Sequence, residues 1–369
     1  MKLRILSENL KNSLNHLQKV IPSKPQIAVL SSILIKAKDN KVVLSATDLY
    51  LGVKTELMAE VEVEGELIIN GELFRNLINS LMAGKIDIEL QENSLVVSQG
   101  KTLSKLTCQR SDEFPEFPVL KEDSLTISLS SLEKIQSLVS FCASSDQTRP
   151  VLTSILFNFK KDGLEVVSTD GFRLSSLLFK DIVLEQERTV LIPAKALGEL
   201  NRIAKQAEAE LIDIFVSDEL KQLLFKFAHV EMYVRLIEGD FPPYEKIIPP
   251  SFTVKIEFDS EEFLTELKRA SIFSRDASNI VKFRVEQDKM LINSQSASLG
   301  EYSSEIDIDN KTKETGEIAF NVNYLVDFIV ATKPELLEFS MNESLKPAMF
   351  RDKKTKDYFH IAMPFRVNS

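Results

Sequence analysis

Few side chains in this sequence are spaced for bond chemistry. The three histidines, His16, His229 and His360, stand singly, without the His-Glu-x-x-His spacing or Cys/His cluster that would hold zinc. Cys108 and Cys142 are too few to staple a secreted fold and read as buried free thiols in a reducing compartment. No two of the 11 glycines are two residues apart, so there is no dinucleotide fingerprint. A Walker loop and a Gly-x-Ser-x-Gly elbow are missing as well. No metal and no cofactor is expected. Two acidic residues recur in one setting, Asp48 after Thr47 and Asp170 after Thr169. One reading makes them Mg²⁺ ligands of an α+β enzyme acting on phosphorylated substrates. The most distinctive run is Thr169-Asp170-Gly171-Phe172-Arg173-Leu174. By residue type it is either a hairpin turn or the wall of a pocket, with Gly171 free to take positive φ.

These residues sit in a chain that repeats itself. Leu30-Ser31-Ser32-Ile33-Leu34-Ile35 matches Leu152-Thr153-Ser154-Ile155-Leu156-Phe157. Leu44-Ser45-Ala46-Thr47-Asp48 matches Val166-Val167-Ser168-Thr169-Asp170 at the same offset. Phe114-Pro115-Glu116-Phe117 matches Phe241-Pro242-Pro243-Tyr244, and a fainter third copy runs from Ile280 through Ser294. Units of roughly 120 residues are domains, not solenoid repeats. Their expected bounds are 1–123, 124–251 and 252–369. Each opens with an alternating strand (2–6, 125–129, 254–258) and a helix capped at Ser7, Ser130 or Ser260. Hairpins follow, then a second helix (72–82, 194–206, 322–332) and closing strands such as 86–90 with 94–98. About eight strands and two helices per copy make an α+β layer architecture. Thr-Asp-Gly occurs only in the second copy; the first has Thr47-Asp48-Leu49-Tyr50 and the third Gln295-Ser296-Ala297. A pocket built on it is therefore expected once per chain, and the third copy lacks the Asp that a metal-binding enzyme would need.

Apolar residues are 44% of the chain, charged residues 27%, and the net charge is −10. These values fit a globular protein and exclude a disordered or fibrous one. The longest uncharged apolar stretch, near 29–35, is far short of a membrane helix, and Glu8 interrupts any N-terminal signal core. A cytoplasmic protein is expected. The six candidate helices together carry +4, which leaves the remainder of the chain at −14. Six helices lining one surface that faces a polyanion would account for that imbalance.

With these runs in place, the chain resembles the bacterial DNA polymerase III beta subunit family, the replicative sliding clamps. The resemblance is carried by residues 168–174, by Phe241-Pro242-Pro243-Tyr244, by Phe320-Asn321-Val322-Asn323-Tyr324-Leu325, and by Ile361-Ala362-Met363-Pro364-Phe365-Arg366-Val367. It implies three copies of the DNA-clamp fold, with antiparallel sheets outside and two helices per repeat inside. Two chains would pair head to tail as a ring that encircles duplex DNA without reading its sequence. Such a clamp performs no bond chemistry and tethers the polymerase. The partners implied are the DNA polymerase III catalytic subunit, clamp-loader subunits, other polymerases and repair proteins, recruited through a short Leu/Phe-containing motif. The implied location is the cytoplasm, at the nucleoid, away from membranes.

By motif match, the peptide cleft would be lined by Leu152, Thr169, Gly171, Phe172, Arg173 and Leu174. Pro242, Lys246 and Ile247 would add a wall, and Ile361, Met363, Pro364, Phe365 and Arg366 would close it. Arg173 and Arg366 would hydrogen-bond the peptide. The family often has His at Phe172, Arg at Lys246 and Met at Phe365, so a narrower, more apolar cleft is expected here. DNA contacts would come from Lys24, Arg75, Gln147, Arg149, Lys195, Arg202 and Lys205, and more weakly from Arg269 and Arg275. The dimer contact would use Ile272 and Phe273 on one side. On the other, Leu103 and Leu106 flank Ser104, where the family usually has Phe. Asn368 and Ser369 would be frayed.

Overall fold

Each repeat opens on an alternating strand that runs directly into a helix. In the computed structural model the residues described are 1–119, 124–184, 187–217, 219–276 and 278–366; Val367, Asn368 and Ser369 lie outside them. The opening strands are Lys2–Leu6, Ser124–Ser128 and Val254–Asp259. Among the described residues there are six α-helices, two per repeat. They are α1 (Ser7–Leu17), α2 (Gly71–Ser80), α3 (Leu129–Leu138), α4 (Ala194–Gln206), α5 (Ser260–Ser274) and α6 (Val322–Thr332).

The caps lie earlier than the serines expected. Ser7 and Ser260 are already the first helical residues of α1 and α5, and Ser130 is the second of α3. Asp259 caps α5 by accepting from the Glu262 amide at 2.8 Å, and Ser128 accepts from the Ser131 amide at 3.1 Å. An N-cap residue keeps extended dihedrals, so the last strand residue can fill the role. α1 has no side-chain cap; Ser7 Oγ donates instead to the Met82 carbonyl at 2.7 Å. The second helices of the outer repeats use asparagine: Asn70 accepts from Leu73 N and Asn321 from Asn323 N, both at 2.9 Å. Helix α2 stops at Ser80, two residues short of the expected end.

The apolar faces pack as their spacing requires. Leu10, Leu14 and Leu17 of α1 are buried, as are Phe263 and Leu267 of α5. Each such side chain contributes roughly 1.5–3 kcal/mol when fully buried. The third repeat is an aromatic core without tryptophan: Phe263 meets Phe283 at 5.5 Å and Phe339 meets Phe350 at 4.8 Å between ring centroids.

The chain forms two compact units, each spanning parts of two repeats. The first, residues 1–132 with 195–236, holds a thirteen-stranded antiparallel sheet, and α1 packs beside α2. In the second, 133–194 with 237–369, nine-stranded and four-stranded antiparallel sheets form, and α5 packs beside α6. One kind of strand pairing draws consecutive repeats into a unit. In the first unit Val230–Arg235 runs along Leu51–Met58, with Val234 opposite Leu51. In the second Tyr358–Ala362 runs along Arg173–Phe179, with Ala362 opposite Arg173. Each time, the closing strand of one repeat lies against the strand that follows the Thr-Asp turn of the repeat before it. No described helix is long and apolar enough to cross a membrane.

Candidate partner cleft, helix faces and free strand edges

The Thr169-Asp170-Gly171 run is a turn held by its own side chains. Thr169 Oγ1 donates to the Arg173 carbonyl at 2.7 Å and accepts from Gly171 N at 3.0 Å. Asp170 Oδ1 accepts from the amides of Phe172 (2.8 Å) and Arg173 (3.0 Å). Gly171 takes φ +94°, where a side chain would be strained. The first repeat builds the same turn from Thr47 and Asp48, which accept from the amides of Leu49, Tyr50 and Leu51. There Leu49 holds φ +75°, which for an L-residue costs about 1–2 kcal/mol. The turn is the hairpin the residue types suggested. Both aspartates are occupied by their own loops. Among the described residues no three His, Cys, Asp or Glu side chains are grouped to hold a metal ion, so the Mg²⁺ reading has no site.

Strand pairing sets this loop beside the C-terminal tail. Beyond the pairing of Leu174 with Ile361, the tail continues alongside the turn, and Met363 N donates to Phe172 O at 2.8 Å. Residues almost two hundred positions apart thus become neighbours. Leu174 and Ile361 are fully buried in a cluster with Leu156, Val167, Leu191, Tyr244 and Met349, so of the expected cleft residues these two are core. Leu152 and Thr169 are buried as well. Of the expected cleft residues Phe172, Pro242, Lys246 and Ile247 are exposed, and Met363 and Pro364 are half-buried. Phe365 and Arg366 meet a different part of the surface. Phe365 N donates to Ala319 O at 2.7 Å, and both residues line a separate cavity of about 330 Å³ with Phe283, Ile318 and Leu345.

Arg173 is not a free donor. Its side chain is only 10% exposed. Nε donates to Asp170 Oδ2 at 3.0 Å, Nη1 to Asp327 Oδ2 at 2.9 Å, and Nη2 to the Phe141 carbonyl at 3.3 Å. The guanidinium also lies 4.8 Å from the Tyr324 ring centroid, and Tyr324 in turn stacks on Phe172 at 6.1 Å. Arg173 thus ties the turn to α6. Sequence reading missed Tyr324 and Asp327 as parts of this site. Their i,i+3 spacing on one helix face was the available signal.

Behind the turn lies a buried polar chain. Ser175 Oγ meets His360 Nδ1 at 2.9 Å, Tyr358 OH at 3.1 Å and Cys142 Sγ at 3.2 Å. Burial lowers the His360 pKa to about 3 and raises the Cys142 thiol to about 12, so both are neutral and inert.

The DNA candidates divide into cations spent on the fold and cations left over. Arg202 donates to Glu199 Oε2 at 2.7 Å, to Gln206 Oε1 at 2.8 Å, and to the carbonyls of Asn15 (3.2 Å) and His16 (3.4 Å). Those carbonyls belong to the last turn of α1, so Arg202 caps that helix and complements its dipole. Its placement does not favour a role as a mobile phosphate contact. Arg149 pairs with Asp146 at 3.3 Å and Arg269 with Glu266 at 2.6 Å. Lys24 and Lys195 are exposed and Arg75 is half-buried, all without an ion-pair partner among the described residues. Gln147, Lys205 and Arg275 are exposed.

Among the described residues several strands have a free edge, and two of them lie at the expected dimer contact. Thr102–Gln109 pairs with Ser94–Gln99 on one side, and on the other only its last residues meet Ile68 and Ile69. Among the described residues Gly300–Asp307 pairs only with Lys289–Ser296. Leu103 beside the first edge is 69% exposed, and Ile272 in the third repeat 53%. Ile272 is therefore surface, not helix core, while the Phe273 ring stacks on Tyr302 of the second edge strand at 5.8 Å. Leu106 is buried and belongs to the core of its own repeat, so it cannot share an exposed contact with Leu103.

Known proteins give these features a common source. Three family profiles tile the chain: the DNA polymerase III beta subunit N-terminal domain over residues 1–118, its central domain over 126–243 and its C-terminal domain over 245–366. The chain is 27% identical over 382 residues to a beta sliding clamp of Staphylococcus aureus, covering 100% of both. It is similar in structure to the DNA polymerase III beta subunit of Thermotoga maritima (26% identity, TM-score 0.91) and to the DNA polymerase sliding clamp of Bacillus subtilis (25%, 0.92), again over 100% of each chain. Three profiles in order, over repeats that share one turn and one kind of strand junction, place this chain in the DNA polymerase III beta subunit family, the bacterial sliding clamps.

Proposed function

We propose that two copies of this chain close head to tail into a ring around duplex DNA, each contributing repeats 1–123, 124–251 and 252–369. A sliding clamp is the non-catalytic processivity subunit of the replicative polymerase, and the chain has that function by family membership. The finer reading concerns how it does so. The unpaired edges at 102–107 and 300–307 are suited to pair with one another across two chains, since an open strand edge is a template for another strand. Leu103, Ile272 and Phe273 would flank that junction. Lys24, Arg75, Gln147, Arg149, Lys195 and Lys205 would meet phosphates transiently, directly or through water. The groove between Phe172 and Met363 would hold the Leu/Phe motif of the polymerase III catalytic subunit, clamp-loader subunits, other polymerases and repair proteins in turn, in the cytoplasm at the nucleoid.

The observation that carries this reading is the clamp fold over the whole chain, on a chain whose net charge is −10. A ring on such an acidic protein needs no tight grip on DNA. The test is retention after loading onto nicked circular DNA by a clamp loader. The clamp should stay bound from 50 to 200 mM salt and leave once the circle is cut. A protein held by six to ten phosphate contacts would instead lose about 10³–10⁵ in affinity over that range, whatever the DNA ends. Equal retention on circular and linear DNA would refute the ring.

A further inference from the structure

The first repeat holds the same turn-and-strand arrangement as the second, with different side chains. Its Thr-Asp turn is followed by Leu51–Met58 as the second repeat's is followed by Arg173–Phe179. In both, the closing strand of the next repeat lies alongside and its continuing amide donates back to the turn. Arg235 N donates to Tyr50 O and Met363 N to Phe172 O, each at 2.8 Å. Phe117, from the run that matches Phe241 to Tyr244, packs 4.9 Å from the Tyr233 ring. A cavity of about 120 Å³ opens here, lined by Leu49, Tyr50, Phe117, Gln222, Tyr233 and Arg235 among others.

The side chains at its mouth indicate an occupant. Tyr50 is 70% exposed and Leu49 45%. Arg235 is exposed, lies 6.0 Å from the Tyr50 ring centroid, and has no carboxylate partner among the described residues. Glu116 is the opposing charge on the rim, and Lys54 behind Phe117 is already engaged by Glu231 at 3.9 Å. One unpaired guanidinium is too little for a nucleic-acid backbone but suits a single carboxylate. The matching position in the second repeat is Met363, which carries no charge. The two grooves therefore differ in what they select.

We propose that this first-repeat cavity is a second docking site, for an extended peptide segment of a partner protein that inserts an aromatic side chain and sets an acidic side chain on Arg235. The inference rests on the reading of the second-repeat groove as a peptide cleft. The test is a titration of the full chain, by calorimetry and fluorescence anisotropy, with a fluorescein-labelled six-residue peptide holding adjacent leucine, phenylalanine and aspartate. Two peptides should bind per chain. Tyr50→Ala with Arg235→Glu should weaken one site at least about tenfold and leave the other, while Phe172→Glu does the reverse. The substituted side chains are exposed, and an unchanged melting temperature confirms the fold. One peptide per chain, lost with Phe172→Glu and indifferent to the first-repeat changes, overturns the proposal and leaves the cleft reading intact. One peptide lost only with the first-repeat changes overturns the cleft reading instead. No binding to the unaltered chain overturns both.

Discussion

Replacing Arg173 by lysine tests whether the Thr169-Asp170-Gly171 turn is held by a fork of charged hydrogen bonds. Lysine keeps the charge but is a point donor, unable to span Asp170, Asp327 and the Phe141 carbonyl at once. The bond to Asp170 is made between side chains only 10% and 16% exposed, so it carries nearly the full value of a charged hydrogen bond, about 1.5–3 kcal/mol. Asp327 is 53% exposed, and solvent screening reduces that bond to at most about 1 kcal/mol. Lysine recovers part of one contact, so the net loosening of the turn is about 2–3 kcal/mol. The Phe172 and Arg173 amides donate to Asp170 Oδ1 and report on this opening directly. At about tenfold per 1.4 kcal/mol, their hydrogen exchange should accelerate roughly 30–100-fold in Arg173→Lys. Exchange read by mass spectrometry over 169–174 measures this without assuming two-state unfolding of a multidomain chain. Asp327→Asn should accelerate it less than about tenfold. Exchange in Arg173→Lys within threefold of the unaltered chain would refute the positioning role.

Acidification should destabilise the fold before its carboxylates titrate. Burial holds His16 at about pKa 4 and His360 at about 3, against an ordinary 6.5, so between pH 6.5 and 4 only the unfolded chain takes up these protons. Stability is complete above pH 6.5 and falls by about 1.4 kcal/mol per pH unit for each histidine as pH drops; a melting temperature that stays flat from pH 7 to 5 would contradict this. Ile272→Ala with Phe273→Ala should give a folded 41.7 kDa monomer in light scattering at low concentration, and a persisting dimer would show that the junction lies elsewhere. Ending the chain at Ala362 removes the hydrogen bond from Met363 to Phe172 and the tail beside the turn. Affinity for a Leu/Phe peptide should fall at least about tenfold while the dimer mass is kept, and unchanged affinity would exclude the C-terminus from the site.

What the sequence disclosed followed from periodicity. Alternating strands, the Leu/Phe faces of α1 and α5, and the offset runs ending in Thr-Asp show the three repeats because each pattern is local. Strand parity was equally readable but was not applied to Leu103 and Leu106. Residues three apart on a strand face opposite sides, and here 104, 106 and 108 turn inward while Leu103 turns out. The caps were misplaced by one or two residues because the last strand residue doubles as the N-cap. The site's long-range members were not legible at all. Asp327 reaches Arg173 across 154 residues, and Phe365 leaves the groove for the edge beside Ala319. Both depend on which strands pair, and no local pattern specifies that.

The same limit governs the helix charge. Counting residues gives a basic bias on six helices, but a count cannot tell a cation that faces a ligand from one that completes the fold. Arg202 is spent on the open carbonyls at the end of α1, Arg269 on Glu266, and Lys19 on Glu199 at 3.1 Å. The helix bias is therefore partly structural. Among the described residues Lys24, Arg75, Lys134, Lys195, Lys268 and Arg275 have no ion-pair partner, and their long side chains lose little by staying mobile. Affinity for DNA scales with the number of phosphates neutralised at one time. Mobile cations spread over several helices suit a hold on DNA that is topological, where each phosphate contact must be weak enough to break as the duplex moves through.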